Sequence, residues 1–218
     1  MSFASLARVA SVVPTTFSAP VGDRSEQQGE LHAAILRNEA GWQRRAFNAF
    51  HDLVHALLIK ALGPRAEIAD LVGDVFVSFF ANASRIQSAQ AVRSYLVSIT
   101  MNLARRELRQ RKRRELFQRF SGAAQDYEQE AGRDDPRAKA ALIQLSRILD
   151  DLSADDRSAF VLSNLEGMPA LEVAELLGVS ESTAKRRIRR ANERVLKRVR
   201  CNVLLADYVQ ARTERGHG

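Results

Sequence analysis

Between Ala46 and Leu62 the apolar residues fall on one stripe: Ala46, Phe47, Phe50, Val54, Leu57, Leu58, Ala61 and Leu62. That spacing is the one an α-helix needs to bury a single face. Gly63-Pro64 ends the run, because proline cannot donate to the helical ladder and disfavours helical geometry in the residue before it. The next segment keeps its period without a miss. Ile68, Leu71, Val72, Val75, Phe76, Phe79 and Phe80 form its apolar side, while Glu67, Asp70, Asp74 and Ser78 make the other side acidic. A polar break from Asn82 to Gln90 follows, and then Tyr95, Leu96, Ile99, Leu103 and Leu108 face a third helix inward. The helical period sets in at Glu30, and three helices with such short connections predict one compact domain over residues 30–115.

Between Phe120 and Pro136 the period lapses. Ser121-Gly122, Gly132 and Asp134-Asp135-Pro136 lie among Asp126, Glu128 and Glu130, which predicts a flexible acidic linker over 116–137. A second helical domain is expected over 138–200, with a tail at 201–218. Residues 1–29, carrying Pro14, Pro20, Gly22 and a polar run from Asp23 to Gln28, read as a flexible leader. Strand-like alternation and internal repeats are both lacking. The fold class is therefore all-α: two small helical domains joined by the linker.

The second domain carries its motif in Ala170–Arg190. A first helix faces Leu171, Val173, Ala174 and Leu177 inward, with Glu172 and Glu175 outside. Gly178 supplies the left-handed backbone of a tight turn, Val179 plugs it, and Ser180 or Ser182 caps the following helix. That helix buries Ala184, Ile188, Ala191 and Val195 and turns Lys185, Arg186, Arg189 and Arg190 outward. A cationic outer face over a small apolar seam suits a helix entering a DNA major groove. Upstream, Leu145, Ile148, Leu149, Leu152, Phe160, Val161 and Leu165 build a platform. Ser153 is its N-cap, with Asp155 and Asp156 in the first turn where the helix dipole favours negative charge.

Charge sharpens this reading. The formal net charge is +7, yet Arg105–Arg114 alone carries +6 and Lys185–Arg200 carries +8, so the remainder is acidic at −7. Two basic helices on an acidic protein point to a polyanionic partner. Cys201 is the only cysteine, which excludes a disulfide framework and fits a reducing cytoplasm. His51-Asp52-Leu53-Val54-His55 echoes a zinc string, but Asp52 is one methylene short of the usual base and no third ligand stands out, so no metal or other cofactor is expected. No apolar run is long enough to span a membrane, and Pro14 interrupts the only apolar stretch near the start, so neither insertion nor a signal peptide is expected.

The run LDDLSADDRSAFVLSNLEGMPALEVAELLGVSESTAKRRIRRANERVLKRV resembles region 4 of the extracytoplasmic-function sigma factors, members of the sigma-70 family of bacterial RNA polymerase. EIADLVGDVFVSFFANASRI and SYLVSITMNLARRELRQRKRR resemble parts of region 2. The resemblance implies a protein without catalysis of its own that brings core polymerase to a promoter. It places Thr183, Lys185, Arg186 and Arg189 against bases or nearby phosphates of the −35 element, and Arg187 and Arg190 on the DNA backbone. In region 2 it implies that Asn102 bonds a non-template base or sugar of the melted −10 element, that Tyr95 stands where the family usually has Trp, and that Arg105, Arg106 and Arg109 hold phosphates. The helix bearing Glu67, Asp70 and Asp74 would dock on the β′ clamp helices of core, and region 4 on the β flap. An anti-sigma factor is a further expected partner. Gly73 departs from the family's usual Gln. Regions 1.1 and 3 find no counterpart, as the small class would have it.

Two other readings compete. A LuxR-type activator ends in a similar helix-turn-helix, but residues 1–114 show neither βα alternation nor a phosphoacceptor loop. A nuclease would call for carboxylates clustered on facing strands or a Gly-rich phosphate loop, and neither is found.

Overall fold

The structure, a computed structural model, describes residues 21–118 and 136–199. These residues are helical, without a strand among them. Helices α1 (Val21–Leu36), α2 (Trp42–Leu62), α3 (Ile68–Asn82) and α4 (Ala89–Gln118) form a first unit, with a 3-10 turn at Ala83–Arg85. Helices α5 (Pro136–Asp150), α6 (Ala154–Phe160), α7 (Ala170–Leu177) and α8 (Glu181–Val199) form a second, and a π-helical turn at Val161–Leu165 extends α6.

The predicted stripes of α2 and α3 are largely the buried ones, whereas α4 buries Val92, Leu96, Val97, Met101, Ala104 and Leu108 and leaves the expected Tyr95, Ile99 and Leu103 half-buried at the core's edge. On α2, Ala46, Phe50, Val54, Leu57, Leu58, Ala61 and Leu62 enter the core, while Phe47 remains partly exposed. Gly63 closes the helix at φ 83°, a backbone glycine adopts freely, and its N–H donates to Ile59 O at 2.8 Å. On α3 every predicted apolar position except Phe80 is buried, and Trp42 meets Phe79 and Phe80 edge-on with ring centroids 6.3 and 5.4 Å apart. Edge-to-face contact places the positive rim of one ring on the negative face of the next.

Other expectations also need correction. Helix α1 makes the first unit one of four helices rather than the expected three, and it begins at Val21, inside the stretch read as a leader. Leu31, Ala34 and Ile35 anchor it against the core, and once nucleated a helix extends through polar residues at little cost. Leu171, expected to face inward, is 57% exposed. The short α7 aims Val173, Ala174, Leu176 and Leu177 at the core, and helical rotation leaves Leu171 on nearly the opposite side.

In the second unit Ser153 caps α6, its Oγ accepting from Asp156 N–H at 3.1 Å. Gly178 takes the left-handed conformation (φ 63°, ψ 43°) that lets α7 turn into α8. Of the two candidate caps it is Ser180 whose Oγ accepts from Thr183 N–H, at 3.3 Å.

The two units pack against each other. Helix α4 lies on α6 and α7, and α2 touches α5 and the π-helical turn. Ser98 Oγ donates to Leu176 O at 3.3 Å, and Lys112 Nζ to Leu152 O. At the centre Lys60 Nζ lies 2.6 Å from Glu166 Oε1, with both side chains fully buried. The expected linker falls outside the described residues except at its ends, which α4 and α5 continue as helix.

Candidate nucleic-acid and polymerase interface

Helix α8 has two kinds of basic residue. Lys185, Arg186 and Arg189 are exposed, and Lys185 makes only a surface pair with Glu181 one turn back, at 2.8 Å. Such a pair contributes little and yields readily to another anion. Thr183 is half-buried at the helix start, where its Oγ1 accepts from Ser180 Oγ at 2.9 Å. Arg190, expected to face outward, reaches the surface but gives Nε and Nη2 to the two oxygens of Asp156, at 2.8 and 2.6 Å. Asp156 is buried, and its hydrogen bond and charge raise the Arg190 guanidinium above its usual value. Arg187 is half-buried and lies 3.4 Å from Asp155 Oδ2.

Helix α4 presents the other basic face. Asn102 is exposed, with its Oδ1 accepting from Arg105 Nη2. Arg105 also donates from Nη1 to Leu177 O at 3.4 Å, and burial holds its guanidinium below the usual value despite Asp155 at 3.7 Å. Arg109 Nη2 lies 2.8 Å from Asp155 Oδ1, and Arg106 is exposed. Tyr95 is half-buried at the rim of the first core, 6.3 Å from the Phe79 ring.

Asp155 therefore gathers Arg105 and Arg109 from the first unit and Arg187 from the second. The sequence marks it only as a first-turn acid. Its neighbours come from α4 and α8, which no local pattern connects to it. Three cations on one carboxylate leave the junction electropositive, so nucleic-acid phosphates have a charge reason to compete for these arginines.

Helix α3 carries a third surface. Glu67, Asp70 and Asp74 are exposed, and Val77 is 69% exposed among them. A Cβ at Gly73 would meet nothing within 4 Å, so packing within the chain does not demand a glycine there. The face is acidic with one apolar contact, a composition suited to docking on a basic protein surface.

His51 and His55 stack at 5.9 Å, and His51 Nδ1 lies 3.0 Å from Asp52. Among the described residues no three His, Cys, Asp or Glu side chains come together to hold a metal. No helix among them is long and apolar enough to cross a membrane.

Two family models match the chain, sigma-70 region 2 over residues 46–114 and sigma-70 region 4 over residues 142–195, together more than half of it. The probable RNA polymerase sigma factor RfaY of Xanthomonas campestris pv. campestris is 27% identical over 175 residues, 76% of this chain. The chain spans 43% of that relative's length. RNA polymerase sigma factor CarQ of Myxococcus xanthus is 27% identical over 157 residues, covering 69% of this chain and 88% of CarQ. Among solved structures, CnrH in complex with the cytosolic domain of CnrY aligns with a TM-score of 0.57 at 20% identity, over 81% of this chain and 99% of the other. The sigma factor RpoE of Bartonella quintana, in complex with the anti-sigma factor NepR, aligns at 0.55 and 21% identity, over 71% and 94%. These two likenesses concern the fold.

Proposed function

This chain belongs to the sigma-70 family, in its extracytoplasmic-function branch, and from that premise we propose that it binds core RNA polymerase and directs initiation at a particular promoter set. One observation carries the proposal: an acidic helix suited to docking and two basic helices suited to DNA lie on one chain, within the segments matched by regions 2 and 4. Residues 30–115 serve as region 2 and residues 138–200 as region 4. Within region 4, Arg186 and Arg189 read or hold the −35 element with Thr183 and Lys185, while Arg187 and Arg190 grip its backbone. Within region 2, Asn102 takes a −10 base or sugar and Arg105, Arg106 and Arg109 take phosphates, with Tyr95 at the edge of that surface. Glu67, Asp70 and Asp74 meet the β′ clamp helices, and region 4 meets the β flap. Sigma factors act as regulators of initiation rather than as catalysts.

Both solved relatives are complexes with a second protein, one of them a named anti-sigma factor, which supports a partner of that kind here. Promoter phosphates that take Arg105 and Arg109 draw them away from Asp155 on the other unit, so −10 binding and packing of the two units compete. The test is run-off transcription with purified core polymerase on a genomic fragment library, with and without this protein. New transcripts sharing a two-block upstream motif are expected. Duplex binding with silent core would overturn the proposal in favour of an activator.

A further inference from the structure

Between the two units lies a small cavity lined by Arg65, Leu108, Arg111, Lys112, Asp150, Leu152 and Arg157. Four of these side chains are cations and one is a carboxylate. Arg65 follows α2, Arg111 and Lys112 stand on α4, and Arg157 stands on α6, so both units contribute. Arg157 is 1% exposed. It donates from Nη1 to Asp150, but its Nε and Nη2 are buried without a hydrogen-bond partner among the described residues. Arg111 has Nε 3.3 Å from Glu107, and its Nη1 is likewise buried and unpartnered. Lys112 is turned onto Leu152 O, and Arg65 Nε donates to Leu62 O at 3.1 Å.

Buried guanidinium N–H groups that lack an acceptor are costly, and more so beside like charges. Burial and the nearby Arg65 charge both push Arg111 and Arg157 below the usual guanidinium value. An acceptor that also carries negative charge would relieve both costs, whereas water would relieve only the first. The cavity measures about 20 Å³, room for one water-sized occupant and too little for phosphate.

We propose that this cavity binds a single monatomic inorganic anion, of chloride's kind, and that the bound ion holds the two units together. The donors are Arg111 Nη1 from the first unit and Arg157 Nε and Nη2 from the second, with Arg65 and Lys112 supplying further positive charge. Because the site exists only when the units are packed, the ion binds the closed chain alone and shifts the balance toward it. This site is separate from the surfaces assigned to DNA and polymerase, and its test does not depend on them.

The experiment uses the full chain. Melting temperature is followed against potassium bromide at constant ionic strength made up with potassium glutamate, and crystals grown in bromide are measured at the bromine absorption edge. The expected results are an anomalous peak within hydrogen-bond reach of the Arg111 and Arg157 guanidinium groups, and a saturable rise in Tm of about 5 °C or more at a hundredfold excess over Kd. Arg111→Met should abolish the saturable rise, and Arg186→Met on the outer face of α8 should keep it. No peak in the cavity, or a rise that Arg111→Met retains, would overturn the proposal. A peak without a rise marks an adventitious ion only and overturns it too. Should Arg111→Met fail to fold by circular dichroism, the wild-type titration and the bromide map decide together.

Discussion

Gly73 and Gly178 both leave open space where a Cβ would stand, yet they differ in backbone. Gly73 sits within α3, whereas Gly178 holds φ at +63° to turn α7 into α8. Alanine at Gly73 removes the entropy that glycine loses in a helix and should stabilise the chain by about 1 kcal/mol. Alanine at Gly178 meets no neighbour but must adopt a left-handed conformation, at a cost of about 1–2 kcal/mol. Thermal melting of the two variants should therefore move in opposite directions, by a few degrees each. Equal shifts would mean that backbone conformation is not what separates these positions. Docking gives Gly73 a second reading, because an added side chain would change the proposed core-binding face without disturbing the fold beneath it.

Along α8 the exposed and committed arginines should separate in experiment. Arg186→Ala and Arg189→Ala leave the fold intact, since both side chains reach solvent, and are expected to lower −35-dependent transcription while core binding persists. Arg190→Ala should also lower Tm, because it strips the buried Asp156 of a bidentate partner. A normal Tm for Arg190→Ala would show that Asp156 finds another donor. The helices themselves were legible in the sequence, since α2, α3 and α8 each bury one regular stripe. Local chemistry was legible too: the Ser153 cap and the left-handed Gly178 follow from residue type. What escaped were contacts between distant elements. Asp155 reads as an N-terminal acid whether or not three arginines reach it, and nothing near Lys60 announces that Glu166, 106 residues later, will neutralise it. Leu171 failed for another reason: a helix of eight residues has too few turns for its pattern to fix which apolar side chain is left outside.

For the whole molecule the buried Lys60–Glu166 pair is the sharpest test of how the units are held. Burial is the main influence on Glu166 and raises its carboxyl above the usual value, with Lys60 opposing. Lys60→Met leaves a carboxylate buried without its counter-charge, a change of the kind that costs about 3–5 kcal/mol. Replacing both, as Lys60→Met with Glu166→Leu, should recover most of that loss. The sign with pH follows from the raised value. A carboxyl that binds its proton more tightly when folded contributes stability that is complete below about 4.5, its unfolded value, and is lost as the pH rises through the folded one. The Tm deficit of Lys60→Met should therefore be smaller at pH 5 than at pH 8. A deficit independent of pH would mean that Glu166 is not the group left stranded.

Asp155 bears on how a promoter is read. On the proposed assignments, the Arg105 and Arg109 pairs with Asp155 join the two units, so a −10 element that takes these arginines loosens the packing of one unit on the other. On that reading the −10 element bears the cost of loosening, and region 4 then meets the −35 element on a chain already open. Two DNA blocks at the right spacing would thus be held more tightly than their individual affinities predict, and a lone −10-like or −35-like sequence more weakly. On the proposed function, a chain folded upon itself in this way would act as a coincidence detector, responding little to the many half-matches a genome offers.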